Sequence, residues 1–531
     1  MLADLVLFNG DIYTMDHQRP LAQALAVRCG RIIAVDDDAQ IRALAGPDTE
    51  QLNLQGRTVL PGFTDAHIHL VSYGLSLTQV QLDGVTSLQQ AVARVAECAC
   101  TAGPGEWIRG RGWNRNLWPG APFPSKCDLD PVTPNNPVYL PSKDGHAAWV
   151  NSLALQRAGI TAHTPDPPGA QFERDVQTGE PTGLLKEGAA MEMIERAAGP
   201  VSIAEKGDAI QAATEHLHRL GIVAVHTPEE AHDFAALQSV WLKGELNLRV
   251  NMMLPDKYLD NALQMGLRAG LGDEFLRVYA IKVFADGSLG AHTADMFEPY
   301  DGEPHNRGIE VTGTKRLSQL VADCTANGWN VAIHAIGDRA NCRVLNVLEE
   351  HWQEWSRCGL RPRMEHVQLV SPQDLPRLGT MGVIASMQPI HCTSDMVMAE
   401  RHWGNRCSGA YAWRSLLDSG AVLAFGSDAP VEDPDVLRGI FAAVTRQRED
   451  GTPPVGWYPE QCLTVSEAVY AYTMGAAYAS GEERIKGSLS VGKQADLVVL
   501  SQDIFDLPPQ EVLNTCVEAT ILAGEVVYSA K

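Results

Sequence analysis

Between Thr58 and Phe425 the chain repeats one pattern: short apolar runs rich in β-branched residues, most of them separated by stretches long enough to hold a helix. The runs are Thr58-Val-Leu, Ile222-Val-Ala-Val, Leu248-Arg-Val-Asn-Met-Met, Val278-Tyr-Ala-Ile-Lys-Val-Phe, Val331-Ala-Ile, Pro362-Arg-Met, Val383-Ile-Ala-Ser-Met and Val422-Leu-Ala-Phe. Strands alternating with helices build a parallel sheet, because a parallel connection must cross a face of the sheet. Eight such strands close into a (β/α)8 TIM-like barrel, so the expected class is α/β.

Two departures from a bare barrel are legible. Residues 76–215 far exceed what a strand-to-helix connection needs, which predicts an inserted subdomain after the first strand. It contains a helix-like stretch from Ser87 to Cys100 and two irregular stretches, Gly103 to Pro137 and Thr161 to Pro181. Large barrel insertions commonly cover the active-site face, and this one is expected to roof it. The termini also resemble each other: Leu5-Val-Leu-Phe-Asn-Gly-Asp-Ile-Tyr and Ala24–Val35 are short strands cut by glycine, as are Gly487–Leu500 and Ala519–Tyr528. They predict one small composite β domain, sandwich-like, from residues 1–57 and 483–531. The barrel then takes 58–75 and 216–482, and the insert 76–215.

A chain of 531 residues with a net charge of −23 is poorly suited to a phosphate backbone or an anionic bilayer, so neither nucleic acid nor membrane is an expected partner. No apolar run reaches the roughly 20 residues a membrane span requires. The start carries no basic flank before an apolar stretch and meets Asp4 early, so no secretory signal is read there. Eleven scattered cysteines predict free thiols in a reducing compartment, with the cytoplasm as the default.

The sharpest chemical signal is Leu60-Pro-Gly-Phe-Thr-Asp-Ala-His67-Ile-His69, where a strand ends in two histidines one residue apart. Side chains at i and i+2 share a strand face, so both imidazoles can converge on one metal. Taken alone, two nearby histidines are more often exposed polar side chains or satisfied within a core. Here, however, later strands end in the same chemistry at His334, His366 and Asp428. Catalytic residues of barrels come from the C-terminal ends of several strands, so the shared placement points to one metal site. Lys282 lies in the fourth run among apolar neighbours, where its charge must be paired or removed. His226, His391 and His402 are weaker candidates, the last two read as lying in loop-like sequence after the seventh strand.

These segments together resemble the amidohydrolase superfamily, and within it the amidohydrolase family 3, YtcJ-like branch, similar to N-substituted formamide deformylases. The resemblance spans the chain from Pro61-Gly-Phe…His67-Ile-His69 through Asp144-Gly-His146-Ala-Ala-Trp, Lys282-Val-Phe-Ala-Asp286-Gly-Ser, His334-Ala-Ile-Gly-Asp-Arg, Glu365-His366 and Gly426-Ser-Asp428 to Gly492-Lys-Gln-Ala-Asp496. It implies hydrolysis of a non-peptide carbon–nitrogen bond by metal-activated hydroxide, with a small-molecule amide, an N-substituted formamide or N-acyl amine, as substrate. It also implies His67, His69 and Asp428 on a first divalent ion, His334 and His366 on a second, and Lys282 carboxylated as a bridging ligand. Zinc is the expected metal, one or two per chain. Asp428 is the expected proton carrier, with His366 and His146 as further catalytic residues, and Glu187, Asp286 and Trp113 as lesser site candidates. A homo-oligomer is compatible with the sequence.

Two other functions compete. A mononuclear deaminase of the same superfamily typically carries Glu three residues after the fifth-strand histidine; this chain has Gly337 there, and it has a fourth-strand lysine. A catalytically silent barrel scaffold or regulatory protein would be expected to have lost ligands, and none is missing.

Overall fold

The computed structural model describes residues 2–82, 84–142, 147–167 and 170–530. Contacts divide the chain into two compact units, Met1–Leu70 with Ala213–Lys531, and Val71–Ala212.

The first unit contains the barrel. Among the described residues its strands run, in sheet order, Phe63–Asp65, Ile222–Pro228, Arg249–Pro255, Leu276–Phe284, Asn330–Ala335, Arg363–His366, Ile384–Met387 and Leu423–Phe425, each parallel to the next. The ring is nearly closed: the Ala66 amide donates to the Phe425 carbonyl at 2.9 Å, joining the last strand to the end of the first. Every residue of Ile222–Pro228 and of Asn330–Ala335 is buried, as expected of strands covered on both faces.

One expected barrel strand lies elsewhere. Thr58–Pro61 pairs parallel with Asp11–Tyr13 and antiparallel with Leu497–Leu500, in a six-stranded sheet built from both termini. The chain crosses from that sheet into the barrel at Gly62, whose amide donates to the Asp496 carbonyl at 2.9 Å, and the barrel opens at Phe63. The two strands are nearly continuous in sequence, so an apolar run alone could not separate them. A four-stranded sheet of Leu5–Phe8, Ala24–Arg28, Arg31–Asp36 and Glu50–Asn53 shares a core with the six-stranded one, formed by Leu5, Leu7, Leu25, Val59, Leu497 and Ile521 among others. This terminal β layer belongs to the same compact unit as the barrel. Arg249, on the third barrel strand, donates to both oxygens of Asp496 at 2.8 and 2.9 Å, a buried two-point ion pair that ties barrel to β layer.

The second unit has its own six-stranded sheet, ordered Gln171–Arg174, Pro181–Lys186, Ala147–Val150, Val138–Pro141, Ile108–Arg111 and Val80–Gln81. The helix expected at Ser87–Cys100 is Leu88–Thr101, with the Ser87 hydroxyl capping the Gln90 amide. Both stretches read as irregular contain strands, Ile108–Arg111 and Gln171–Arg174, which are too short to announce themselves among glycines and prolines. The unit begins at Val71, earlier than residue 76, and within it Gly74 comes close to Ala209. A Cβ at Gly74 would stand 2.0 Å from the Ala209 carbonyl oxygen, so only glycine permits that approach.

Candidate metal centre

The C-terminal ends of the barrel strands line a cavity of about 370 Å³ that contains His67, His69, Lys282, His334, His366, His391 and Asp428. His67 and His69 follow the first strand, Lys282 lies on the fourth, His334 on the fifth, and His366 ends the sixth. Asp428 sits three residues beyond the eighth, with a φ of 62°. His366 has a φ of 74°. Left-handed backbone at two non-glycine positions marks a place where local strain is held by its surroundings.

The Asp428 carboxylate is the hub. Its Oδ1 lies 3.3 Å from His69 Nε2 and 3.6 Å from His67 Nε2, and its Oδ2 lies 3.8 Å from His391 Nε2. His67, His69 and Asp428 each offer a ligand atom within 4.8 Å of the others, as do His366, His391 and Asp428. The rings of His334 and His366 are 4.6 Å apart, and those of His67 and His366 4.9 Å.

Hydrogen bonds behind the rings decide which nitrogen faces the cavity. His67 Nδ1 donates to Glu365 Oε2 at 2.6 Å, His366 Nδ1 to the side-chain carbonyl of Gln388 at 2.8 Å, and His334 Nε2 to the Gly287 carbonyl at 3.0 Å. Each partner is an acceptor, so each ring carries its proton there and leaves a lone pair on the other nitrogen. His334 Nδ1 is buried with no hydrogen-bond partner among the described residues. A buried, unpaired imidazole lone pair is costly unless something positive fills the space beside it. Burial, then the nearby Lys282, lowers the pKa of His67 to about 4 and of His334 to about 3. Burial and the His334 ring hold His366 well below its ordinary value. All three are neutral near pH 7, as ligands must be.

Burial favours the neutral acid of Asp428, but the hydrogen bond from His69 and the fields of His67, His366 and His391 prevail and hold it ionised well below the usual carboxylate range. Burial lowers Lys282 to about 8, against the pull of Glu365 and Asp428. Imidazole nitrogens with one carboxylate form a donor set suited to zinc and its first-row neighbours, so the residues present fit a divalent ion.

Sequence alone assigns no role of their own to Glu365 and Asp65, and it places His391 and His402 in a loop. Glu365 is fully buried between His67 and Arg363, whose Nε donates to Glu365 Oε1 at 2.5 Å. Its only sequence trace is its place beside His366. Asp65 accepts from the amides of His67 and Ser427, both at 3.0 Å, and from the Ser427 hydroxyl at 2.6 Å, so it holds the first strand end against the eighth. His391, expected in a loop, lies in the first turn of the helix Pro389–Trp403 and reaches the cavity from there. Its Nδ1 faces the Gln368 side-chain amide at 3.4 Å. His402 is on the same helix, in its last turn. His226 lies within the second strand and accepts from Arg363 at 2.9 Å, without lining the cavity.

The remaining candidates have other positions. Asp286 is buried behind the centre, accepting from the amides of Asp295, Ile336 and Gly337 at 2.8–3.0 Å; it shapes the turns around His334. Trp113 is in the second unit, 3% exposed, packed with Trp118 and Trp149, and its indole donates to the Leu140 carbonyl at 2.7 Å. That is a core tryptophan. Glu187 is an exposed residue of the second unit with a φ of 67°, preceding the helix Gly188–Ala198. His146 lies outside the described residues.

The amidohydrolase family model matches residues 50–528. The chain belongs to the amidohydrolase family. Within that family it is 35% identical to Protein LONG AFTER FAR-RED 3 of Arabidopsis thaliana, over 99% of this chain and 92% of the relative. It is 33% identical to the putative amidohydrolase YtcJ of Bacillus subtilis, over 98% of each. It is 28% identical to the N-substituted formamide deformylase of Arthrobacter pascens, over 99% of this chain and 98% of that one. Among solved structures, an uncharacterized metal-dependent hydrolase from Pyrococcus furiosus superposes with a TM-score of 0.78 at 28% identity, covering 94% of this chain and 100% of that one. This amidohydrolase is thus a metal-dependent hydrolase acting on carbon–nitrogen bonds, on a (β/α)8 barrel.

Proposed function

We propose that this amidohydrolase cleaves an N-acylated amine, of the N-substituted formamide kind, at a centre held by His67, His69, Lys282, His334, His366 and Asp428. The observation that carries the reading is the set of three histidines whose protons are turned away onto Glu365, Gln388 and Gly287, leaving lone pairs around one ionised aspartate. The formamide class is supported by the 28% identical deformylase and by the apolar wall of the cavity, where Phe284, Leu289, Met398 and Val431 can receive an N-substituent.

A divalent ion held by these residues, zinc by donor type, would polarise the amide carbonyl and bring the pKa of water toward neutrality. Asp428, ionised and at the hub, accepts the proton of the attacking water and returns it to the nitrogen as the carbon–nitrogen bond breaks, since an amine leaves poorly without it. Glu365 holds the His67 ring in one tautomer and orientation. Lys282, buried and half neutralised near pH 8, is placed to react through its amine lone pair with CO2, losing one proton and becoming a carbamate whose oxygens add to the donor set. The protein is assigned to the cytoplasm on its cysteine usage; all eleven thiols are free in the structure.

The test couples metal content to turnover. Protein supplied with bicarbonate and divalent metal should hold about two ions per chain, in line with two-metal hydrolytic sites, and should release formate and amine from N-alkyl or N-aryl formamides. Release of ammonia from a ring substrate with one ion bound would move the assignment to a deaminase. Full metal content without hydrolysis of any formyl or acetyl amine would remove the substrate class while leaving the centre.

A further inference from the structure

We propose a second metal site, separate from the catalytic centre, formed by His292, Glu303 and His402 and taking a divalent ion of the zinc class. The three side chains each offer a ligand atom within 4.8 Å of the others, the same spacing that gathers His67, His69 and Asp428. His292 comes from the long connection after the fourth barrel strand, Glu303 from further along it, and His402 from the last turn of the helix Pro389–Trp403. None of the three lines the catalytic cavity.

The cluster is held from behind. One Glu303 oxygen accepts from His292 Nδ1 at 2.6 Å and the other from the Asn306 side-chain amide at 2.7 Å, so the carboxylate cannot turn away. The Asn306 amide also donates to the His292 carbonyl at 3.1 Å, and the Asp301 amide to the His402 carbonyl at 2.9 Å. Tyr300 stacks on the His292 ring with centroids 5.2 Å apart. The two imidazoles meet with centroids 4.1 Å apart, and the Nδ1 atom of His402 is buried without a hydrogen-bond partner among the described residues. A hydrogen-bonded His–Glu pair accounts for His292 and Glu303; it does not account for a second imidazole pressed against them with an unsatisfied nitrogen. Two imidazoles and one carboxylate are three of the ligands zinc takes, and side-chain exposures of 25% for His292 and 38% for Glu303 leave room for water as a fourth.

Location gives the site a task. The connection bearing His292 also bears Ser288, Leu289 and Gly290, and the helix bearing His402 also bears His391 and Met398, all lining the catalytic cavity. An ion between them fastens one wall of that cavity to the other.

The experiment is zinc content per chain after equilibration with excess zinc and removal of the free ion. The double variant His292→Gln with His402→Gln should hold one equivalent fewer than the unaltered protein, and His67→Asn with His69→Asn should retain that equivalent. Equal zinc in the unaltered protein and the His292/His402 variant, with its fold intact by circular dichroism, would overturn the site. Should that variant fail to fold, the unaltered protein decides: zinc should protect His292 from diethyl pyrocarbonate, read by peptide mass spectrometry, and unchanged modification would equally overturn the site.

Discussion

At the scale of single residues, the centre depends on which nitrogen or oxygen of a side chain is left free. The two tasks proposed for Asp428 separate on substitution: Asp428→Asn should keep the fold and much of the metal and lower kcat by about 10²–10⁴-fold, the range of general acid–base contributions. Near-normal turnover would exclude it as the proton carrier. Lys282→Ala should lose metal that short carboxylic acids restore; full retention without such an acid would exclude the carbamate. Acid should act through the histidines. Their folded pKa values, about 4 for His67 and about 3 for His334, lie below the ordinary 6.5 that they regain on unfolding. The unfolded chain therefore binds protons first as pH falls below about 6.5, and metal-free protein should lose about 1.4 kcal/mol of stability per pH unit for each histidine until the folded pKa is passed. Urea unfolding between pH 7 and pH 4 measures it, and a midpoint that rises on acidification would contradict the assignment.

At the scale of elements, strand ends bring ligands together only because their backbones come close. A Cβ on Gly426 would stand 2.4 Å from the His67 amide nitrogen and 2.6 Å from Asp65 Oδ1, at the point where the eighth strand meets the first. Gly426→Ala should therefore displace His67 and Asp428 relative to each other and weaken metal binding, measured by chelator competition, more than it lowers overall stability. Glu365→Gln is the complementary case: the ring of His67 keeps a hydrogen-bond acceptor but loses a charged one, and metal affinity should fall about 10–100-fold, as for other residues that orient a ligand. An unchanged affinity would show that His67 needs no such support.

At the scale of the whole molecule, the terminal β layer and the barrel form one compact unit, joined through the buried Arg249–Asp496 pair. Asp496→Ala would leave a buried guanidinium without its partner and should lower stability by about 3–5 kcal/mol, the usual effect of breaking such a pair. Denaturant unfolding should show the shift in tryptophan signals of the barrel as well as in total β content; a loss confined to the terminal strands would mean the two layers unfold apart. No helix among the described residues is long and apolar enough to cross a membrane. The alternation of β-branched runs with helix-length stretches suffices for the barrel class and for seven of its eight strands, and histidine or aspartate at strand ends suffices to pick out His67, His69, His334, His366 and Asp428 as residues of one cavity, because strand periodicity and strand-end placement are local properties of the chain. What sequence could not supply is whatever depends on neighbours distant along it. Thr58–Pro61 joins the terminal sheet because its hydrogen-bond partners lie near residue 500, and His391 enters the cavity because a helix starts at Pro389 beside the seventh strand. Glu365 and the unpaired nitrogen of His334 acquire meaning only once folding has removed water from around them. Desolvation and the choice of tautomer are properties of the packed molecule, and they decide which side chains of this chain can hold a metal.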